Sequence, residues 1–359
     1  MSTTAKILIA GVLVIAAIWA AEHYLPSGPS DGPRTASDIT PRTGTDVSEK
    51  ERKYERAKEF VNPSGFINTA PFTIASLVGA KVILVDFWTY SCINCQRTLP
   101  YLNRWQELYA DKGLAIVGVH TPEFEFEKDI ANVRTAVAKF GITYPVVLDN
   151  DYGTWRAYQN QYWPRKYLID TDGFIVYDHI GEGDYDETER KIQELLAEHM
   201  ARHGTGAPEP TITEPPGAVD VNFGKVGTPE TYFGANRNGA YLGNVKTSVT
   251  GRQTLTMSAP AEQKDDVTYL AGEWEFTDEF ARCIRDCRVR IRYSARQVNI
   301  VAEAMQGGSI KVIQDGTASG SVSISGATLY RLVDDTAYGD HQLELEVPSG
   351  VDLYAFTFG

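Results

Sequence analysis

The chain is poor in cysteine, in net positive charge and in long apolar runs. Its four cysteines are too few for a disulfide-dense secreted scaffold, and they fall in two close pairs, Cys92/Cys95 and Cys283/Cys287. A four-thiolate zinc site would need both pairs brought together from far apart. No further C-x-x-C or His pair with metal-ligand spacing accompanies the first, so no metal and no other cofactor is expected. Positive charge is also short: 34 Lys plus Arg against 47 Asp plus Glu give a formal charge of −13, which disfavours a general nucleic-acid binder. No Gly-rich phosphate loop stands out. Apolar residues, at 43% of 359, are plentiful enough for two cores and exclude wholesale disorder.

Residues 7–21 (ILIAGVLVIAAIWAA) form the one long uncharged apolar run. It is short for a span of ~20 residues, but Thr3, Thr4, Ala5, Tyr24 and Leu25 extend it. Cleavage after Ala20 or Ala21 would place Ile18 or Trp19 where a small residue belongs. Residues 1–25 therefore read as a single-pass membrane anchor, with secretion after signal cleavage as the alternative. Lys6 precedes the run, so the positive-inside bias puts the rest of the chain outside the cytoplasm, periplasmic or at the cell surface. Residues 26–60 read as a linker: a Pro/Gly/Ser/Thr/Asp tether over 26–46, then a charged surface helix over 47–60 with Ser48 as its N-cap.

Residues 61–201 alternate strand and helix. Residues 81–88 (KVILVDFW) and 114–119 (LAIVGV) read as buried parallel strands, 95–111, 129–140 and 186–199 as helices, and 166–170 with 174–178 as a hairpin. This pattern predicts an α/β domain around a mostly parallel sheet. A Pro-rich linker covers 202–225. Residues 226–359 then show short β-rich runs, among them 289–293, 298–302, 309–313, 321–324, 343–347 and 353–358, which predict an all-β sandwich.

The chemistry lies in VDFWTYSCINCQRTLP (residues 85–100), a C-x-x-C pair between a buried strand and a helix. Cys92 is placed at the helix N-terminus, where unpaired N–H groups and the macrodipole favour an anion; a thiolate is the nucleophile of disulfide exchange. Cys95, one turn further in, closes a ring on Cys92 and would resolve a mixed disulfide. Asp86, in the apolar strand, is a candidate buried carboxyl of raised pKa that takes the Cys95 proton. Pro164, before the strand 166–170, is a candidate cis proline facing the dithiol. Trp88, Tyr90 and Trp163 are candidate apolar contacts for a client. Glu123, after the strand 114–119, is a further candidate at the site, as is nearby His120.

The runs VDFWTYSCINCQRTLPYL, GVHTPEFEFE, QYWPRKYLIDTDG and GEGDYDETE resemble the thioredoxin-like domain of DipZ-type proteins, relatives of the TlpA and ResA class of extracytoplasmic thiol–disulfide oxidoreductases. TPETYFG, YSARQVNIV and the terminal FTFG are also similar, so the resemblance covers residues 60–359. It implies a thioredoxin-like fold followed by a jelly-roll-like, carbohydrate-binding-module-like β-sandwich, with Cys92 attacking, Cys95 resolving, Pro164 cis and Asp86 the buried acid. Many DipZ-type proteins begin with a CcdA-like membrane conduit; here one apolar run precedes the redox domain, so a separate membrane donor of CcdA type is expected.

Cys283 and Cys287 lie outside the family pattern. Residues four apart on one extended strand are separated by ~13 Å, whereas disulfide Cα atoms sit within ~7 Å, so a bond between them requires a turn or loop there. A local structural disulfide, a second redox pair and free thiols all remain open, the first preferred. Arg282, Arg285, Arg288, Arg290 and Arg292 read as a salt-bridged or solvated face. The expected function is thiol–disulfide exchange on protein clients. The alternatives are a thiol peroxidase, from the Thr89-x-x-Cys92 spacing, or a cell-wall glycan binder using Tyr232, Phe233, Tyr241, Trp274 or Tyr330.

Overall fold

The computed structural model describes residues 44–204 and 211–359. The expected anchor, most of the tether and part of the second linker lie outside them. Among the described residues no helix is long and apolar enough to cross a membrane.

The first half is a six-stranded sheet with helices on both faces, the thioredoxin-like α/β arrangement expected. Its strands are β1 (Gly65–Ile67), β2 (Val82–Trp88), β3 (Leu114–His120), β4 (Val146–Leu148), β5 (Arg165–Ile169) and β6 (Ile175–Ile180), in the order β1-β4-β3-β2-β5-β6. The helices are α1 (Gly44–Lys53), α2 (Ile93–Tyr109), α3 (Ile130–Lys139), α4 (Gly153–Ala157) and α5 (Tyr185–Arg202). Only the β2–β3 and β3–β4 ladders are parallel. The β1–β4, β2–β5 and β5–β6 ladders are antiparallel, so the sheet is mixed rather than mostly parallel. The hairpin and the short β1 supply the antiparallel part.

Strand β2 is buried along its whole length, and its side chains alternate between two cores. Val82, Leu84 and Trp88 pack with Leu99, Leu102, Trp105, Ile192 and Leu196 beneath α2 and α5. Ile83, Val85 and Phe87 pack on the other face with Tyr158, Tyr167 and Ile169. By the same alternation Asp86 falls on the α2 face.

The charged helix expected over 47–60 ends earlier, at Lys53, and Ser48 lies inside it rather than at its N-cap. The sheet edge captures the rest. Ala57 N–H donates to Gly173 O at 2.9 Å and Ile175 N–H to Glu55 O at 2.8 Å, so residues 55–57 run extended. Lys50 is drawn inward by Asp170 and Asp172, at 2.5 and 2.7 Å.

The second half is all β and antiparallel: β7 (Thr231–Tyr232), β8 (Gly251–Leu255), β9 (Tyr269–Phe276), β10 (Ala281–Ala304), β11 (Gly308–Gln314), β12 (Thr317–Ile324), β13 (Thr328–Val347) and β14 (Val351–Phe358). The order is β12-β11-β13-β10-β14-β7, with β9 joining β10 to β8. The runs expected at 289–293 and 298–302 are one strand, β10, because a register shift between Ala295 and Gln297 bends it without ending it. Residues 297–302 and all of β14 are buried on both faces. One face fills the β core with Ile300 and Phe356. The other, through Val301, Tyr354 and Ala355, packs on Phe124 and Phe126 of the first half.

Candidate functional site

Strand β2 delivers the chain to residues 89–91, and α2 starts immediately after Cys92. Cys92 is its N-cap in extended geometry (φ −77°, ψ 119°), and the Cys95 N–H donates to its sulfur at 3.3 Å. That sulfur takes up one of the N–H groups a helix leaves unpaired at its start. Both thiols are free; Cys92 is half-buried and Cys95 buried. The Trp163–Pro164 peptide is cis, and Trp163 O lies 4.0 Å from Cys92 Sγ. The sequence-predicted dithiol and proline are thus brought together.

Beneath them, burial and the adjacent Cys92 push the Cys95 thiol well above an ordinary thiol's pKa. Asp86 is 1% exposed, and its Oδ1 has no hydrogen-bond partner. Burial raises its pKa to about 7, against the pull of Lys166, which faces it across the β2–β5 ladder. Lys166 is fully buried; its ammonium donates to Gly181 O at 3.1 Å, and burial lowers its pKa while Asp86 and Cys95 raise it. This arrangement places a carboxyl that changes charge near neutral pH on the same face as a thiol that must lose its proton to react.

Lys166 is a functional candidate that sequence reasoning missed. KYLID read as an ordinary strand, yet its Lys sits at an inward position of the alternation. Glu127 was missed as well. It is fully buried and accepts from Ser91 Oγ (2.6 Å), Ser91 N (3.2 Å), Glu123 N (2.6 Å) and Phe124 N (3.1 Å), pinning the residue before Cys92 to the loop after β3.

Two expected client contacts lie inside the protein. Trp88 is fully buried, edge-on to His120 at 5.1 Å, and Tyr90 is 3% exposed, stacked on His120 at 5.8 Å. The Tyr90 hydroxyl donates to Ala327 O of the β domain. Neither ring is free to meet a client: Trp88 packs inside the core beneath α2, and the β domain and the loop after β3 cover Tyr90. His120 is also fully buried, and burial holds its pKa down at about 3, so it stays neutral. Trp163 and Glu123 do face open space. With Cys92, Tyr162, Phe223 at the end of the linker and β-domain residues including Glu230 and Arg237 they line a cavity of about 420 Å³. Glu123 Oε1 accepts from Arg237 Nη1 at 2.8 Å and Tyr232 OH at 3.1 Å, so it is an ion-paired wall residue rather than a solvated loop acid.

The family model described as Redoxin matches residues 55–196, and that described as Thioredoxin like C-terminal domain matches 228–359. DipZ of Mycobacterium tuberculosis is 37% identical over 301 residues, 82% of this chain and 42% of that protein. The thiol–disulfide oxidoreductase YkuV of Bacillus subtilis is 31% identical over 126 residues, 35% of this chain and 84% of that protein. The chain belongs to the DipZ/TlpA-like thioredoxin family of thiol–disulfide oxidoreductases. It spans about two-fifths of the length of DipZ. A crystal structure of a thioredoxin-family thiol:disulfide interchange protein from Chlorobium tepidum covers 40% of this chain and 97% of its own, at 24% identity and TM-score 0.35.

Cys283 and Cys287 are joined, with Cα atoms 5.8 Å apart. The turn or loop expected there, ahead of a strand at 289–293, is instead part of the strand itself. Both residues lie within β10, where register shifts on either side of Arg285 and a positive φ of 52° at Asp286 fold the extra length into a bulge. The arginine cluster is largely ion-paired, Arg282 with Asp352, Arg285 with Glu273, Arg290 with Glu344 and Arg292 with Asp265. Of the aromatics considered for glycan stacking, Phe233 and Trp274 are fully buried in the β core and are not available.

Proposed function

We propose that this oxidoreductase reduces disulfides of extracytoplasmic clients through Cys92 and Cys95, tethered to the membrane by residues 1–25. The observation that carries the reading is Cys92 at the α2 N-terminus, next to Trp163–Pro164 and to the open cavity. The Cys92 thiolate attacks one client sulfur; the client S–S bond breaks, and the leaving client thiolate takes up a proton. Cys95 then gives up its proton, with Asp86 as acceptor, and its thiolate attacks the Cys92 sulfur. The mixed disulfide breaks, the second client thiolate leaves and is protonated, and Cys92–Cys95 is oxidised by two electrons. Each turnover therefore needs a reductant, and a membrane donor of CcdA type suits an anchored protein facing away from the cytoplasm.

The test is trapping. A Cys95→Ser chain should accumulate a mixed disulfide with a cystine peptide at Cys92, seen by mass spectrometry, while Cys92→Ser should form none and reduce nothing. Equal reduction rates for the native chain and Cys92→Ser would refute the assignment. Membrane placement is tested by whether the chain, expressed with and without residues 1–25, sediments with membranes.

A further inference from the structure

Thiol–disulfide exchange needs the attacking sulfur to reach its target almost in line, so the space around Cys92 decides which disulfides it meets. The cavity of about 420 Å³ over Cys92 has one wall from the α/β domain, with Tyr162, Trp163 and Glu123, and one from the end of the linker and the β domain, with Phe223, Glu230 and Arg237. That volume is toward the small end of ligand pockets, ~300–1,000 Å³. A folded partner would instead need a face of roughly 800 Å².

The far wall is held in place. Arg237 pairs with Glu123 at 2.8 Å, and its guanidinium lies 3.7 Å over the Tyr232 ring and 5.2 Å over Phe124. Phe124 and Phe126 in turn pack edge-on against Tyr354, at 5.1 and 4.9 Å. On α2, Arg97 donates to Gln297 Oε1 at 3.1 Å, a second tie between the domains. Two large apolar side chains are left exposed at this cavity, Tyr162 of the α/β domain at 47% and Phe223, at the end of the linker where Asn222 N–H donates to Tyr338 OH of the β domain, at 52%. Both rings line the same cavity as Cys92, where they can meet the apolar flanks of a narrow body that enters it.

We propose that the β domain is the second jaw of the active site. The cleft admits a disulfide carried on a narrow body, a low-molecular-weight disulfide or a cystine in an extended chain, and shuts out one set in a folded surface. Tyr162 and Phe223 grip its apolar flanks. The proposal rests on the exchange role of Cys92.

The full-length chain, kept reduced by dithiothreitol with the uncatalysed rate subtracted, is assayed with oxidised glutathione, with a short linear peptide bearing a cystine, and with native insulin as the folded body. The expected result is a kcat/KM for at least one slender probe ten-fold or more above that for insulin. Phe223→Ala and Tyr162→Ala should raise KM for that probe three-fold or more. Which of the two slender probes responds tells the small molecule from the chain. Both residues are exposed, so unchanged melting temperatures separate loss of grip from misfolding. Equal kcat/KM for insulin and both slender probes, or an unchanged KM in both variants, overturns the proposal while leaving dithiol exchange intact. No turnover with any disulfide overturns the exchange role and the jaw together.

Discussion

Asp86 and Lys166 stand opposite each other across the β2–β5 ladder, both buried, on the face of the sheet that α2 covers. A carboxyl that ionises near pH 7 in the folded protein and near 4 in the unfolded chain binds more protons when folded between those values. Its contribution to stability therefore falls as pH rises from 4 to 7 and stays at its lowest above 7. At about 1.4 kcal/mol per pKa unit, the full effect is on the order of 4 kcal/mol. Asp86→Asn removes this slope. Urea unfolding at pH 4.5, 6 and 8 should show the variant gaining on the native chain at each step upward. Parallel pH profiles would show that Asp86 is not a buried acid of raised pKa.

Lys166 acts on Asp86 by charge, pulling its pKa down against the larger effect of burial. Lys166→Met removes that pull, so Asp86 should ionise above 7. Below that pH it would remain protonated and unable to accept the Cys95 proton. The rate at which a trapped Cys92 mixed disulfide is resolved should then shift its pH midpoint upward, while initial attack by Cys92 keeps its own profile. A purely structural Lys166 would lower stability and leave the midpoint in place.

The bulge that joins Cys283 to Cys287 depends on a residue from the neighbouring strand. Gly272 has φ +99°, and a Cβ there would sit 2.7 Å from Arg285 O and closer still to Asp286 O. Both are backbone carbonyls, which give way less readily than the end of a flexible side chain. Gly272→Ala should cost roughly 2 kcal/mol or more in unfolding free energy, from the left-handed backbone and the clash together. A change within about 0.5 kcal/mol, measured with the disulfide intact, would show that the bulge yields.

The sequence made the dithiol legible because its chemistry is local: strand, turn, two cysteines three apart, helix. Asp86 was visible for the same reason, as one charge in an apolar strand. Lys166 was not, since its partner lies 80 positions away and only the β2–β5 register pairs them. The β domain's part in the site was hidden in the same way. Nothing local in HTPEFEFE marks Phe124 and Phe126, yet they pack against Tyr354 of the β domain, and Glu127 ties the loop to Ser91. Residues 297–302 and β14 are covered on both faces, yet they carry polar residues such as Gln297, Asn299, Asp352 and Thr357, so their double burial does not show in the sequence as a continuous apolar run. The three residues of β1 carry too few positions to show any period.

Arg97 and Glu182 form an ion pair at 3.0 Å with side chains only 3% and 4% exposed, beside the Arg97–Gln297 bond that ties α2 to the β domain. Burial raises the Glu182 pKa, and Arg97 is the main influence lowering it. Arg97→Met therefore leaves a buried carboxylate without its cation, and losing one partner of such a pair costs ~3–5 kcal/mol. The sign with pH follows from the raised folded-state pKa. The penalty is absent where Glu182 is protonated in both folded and unfolded chains, appears as pH rises above the unfolded carboxyl's value of about 4.5, and is complete above the folded one. Arg97→Met should thus be strongly destabilised at pH 8 and much less so at pH 4.5. Adding Glu182→Gln should restore most of the loss at pH 8, because a neutral amide replaces the stranded charge. A loss equal at both pH values, or one that Glu182→Gln fails to relieve, would assign the cost to lost packing of the Arg97 side chain rather than to the ion pair.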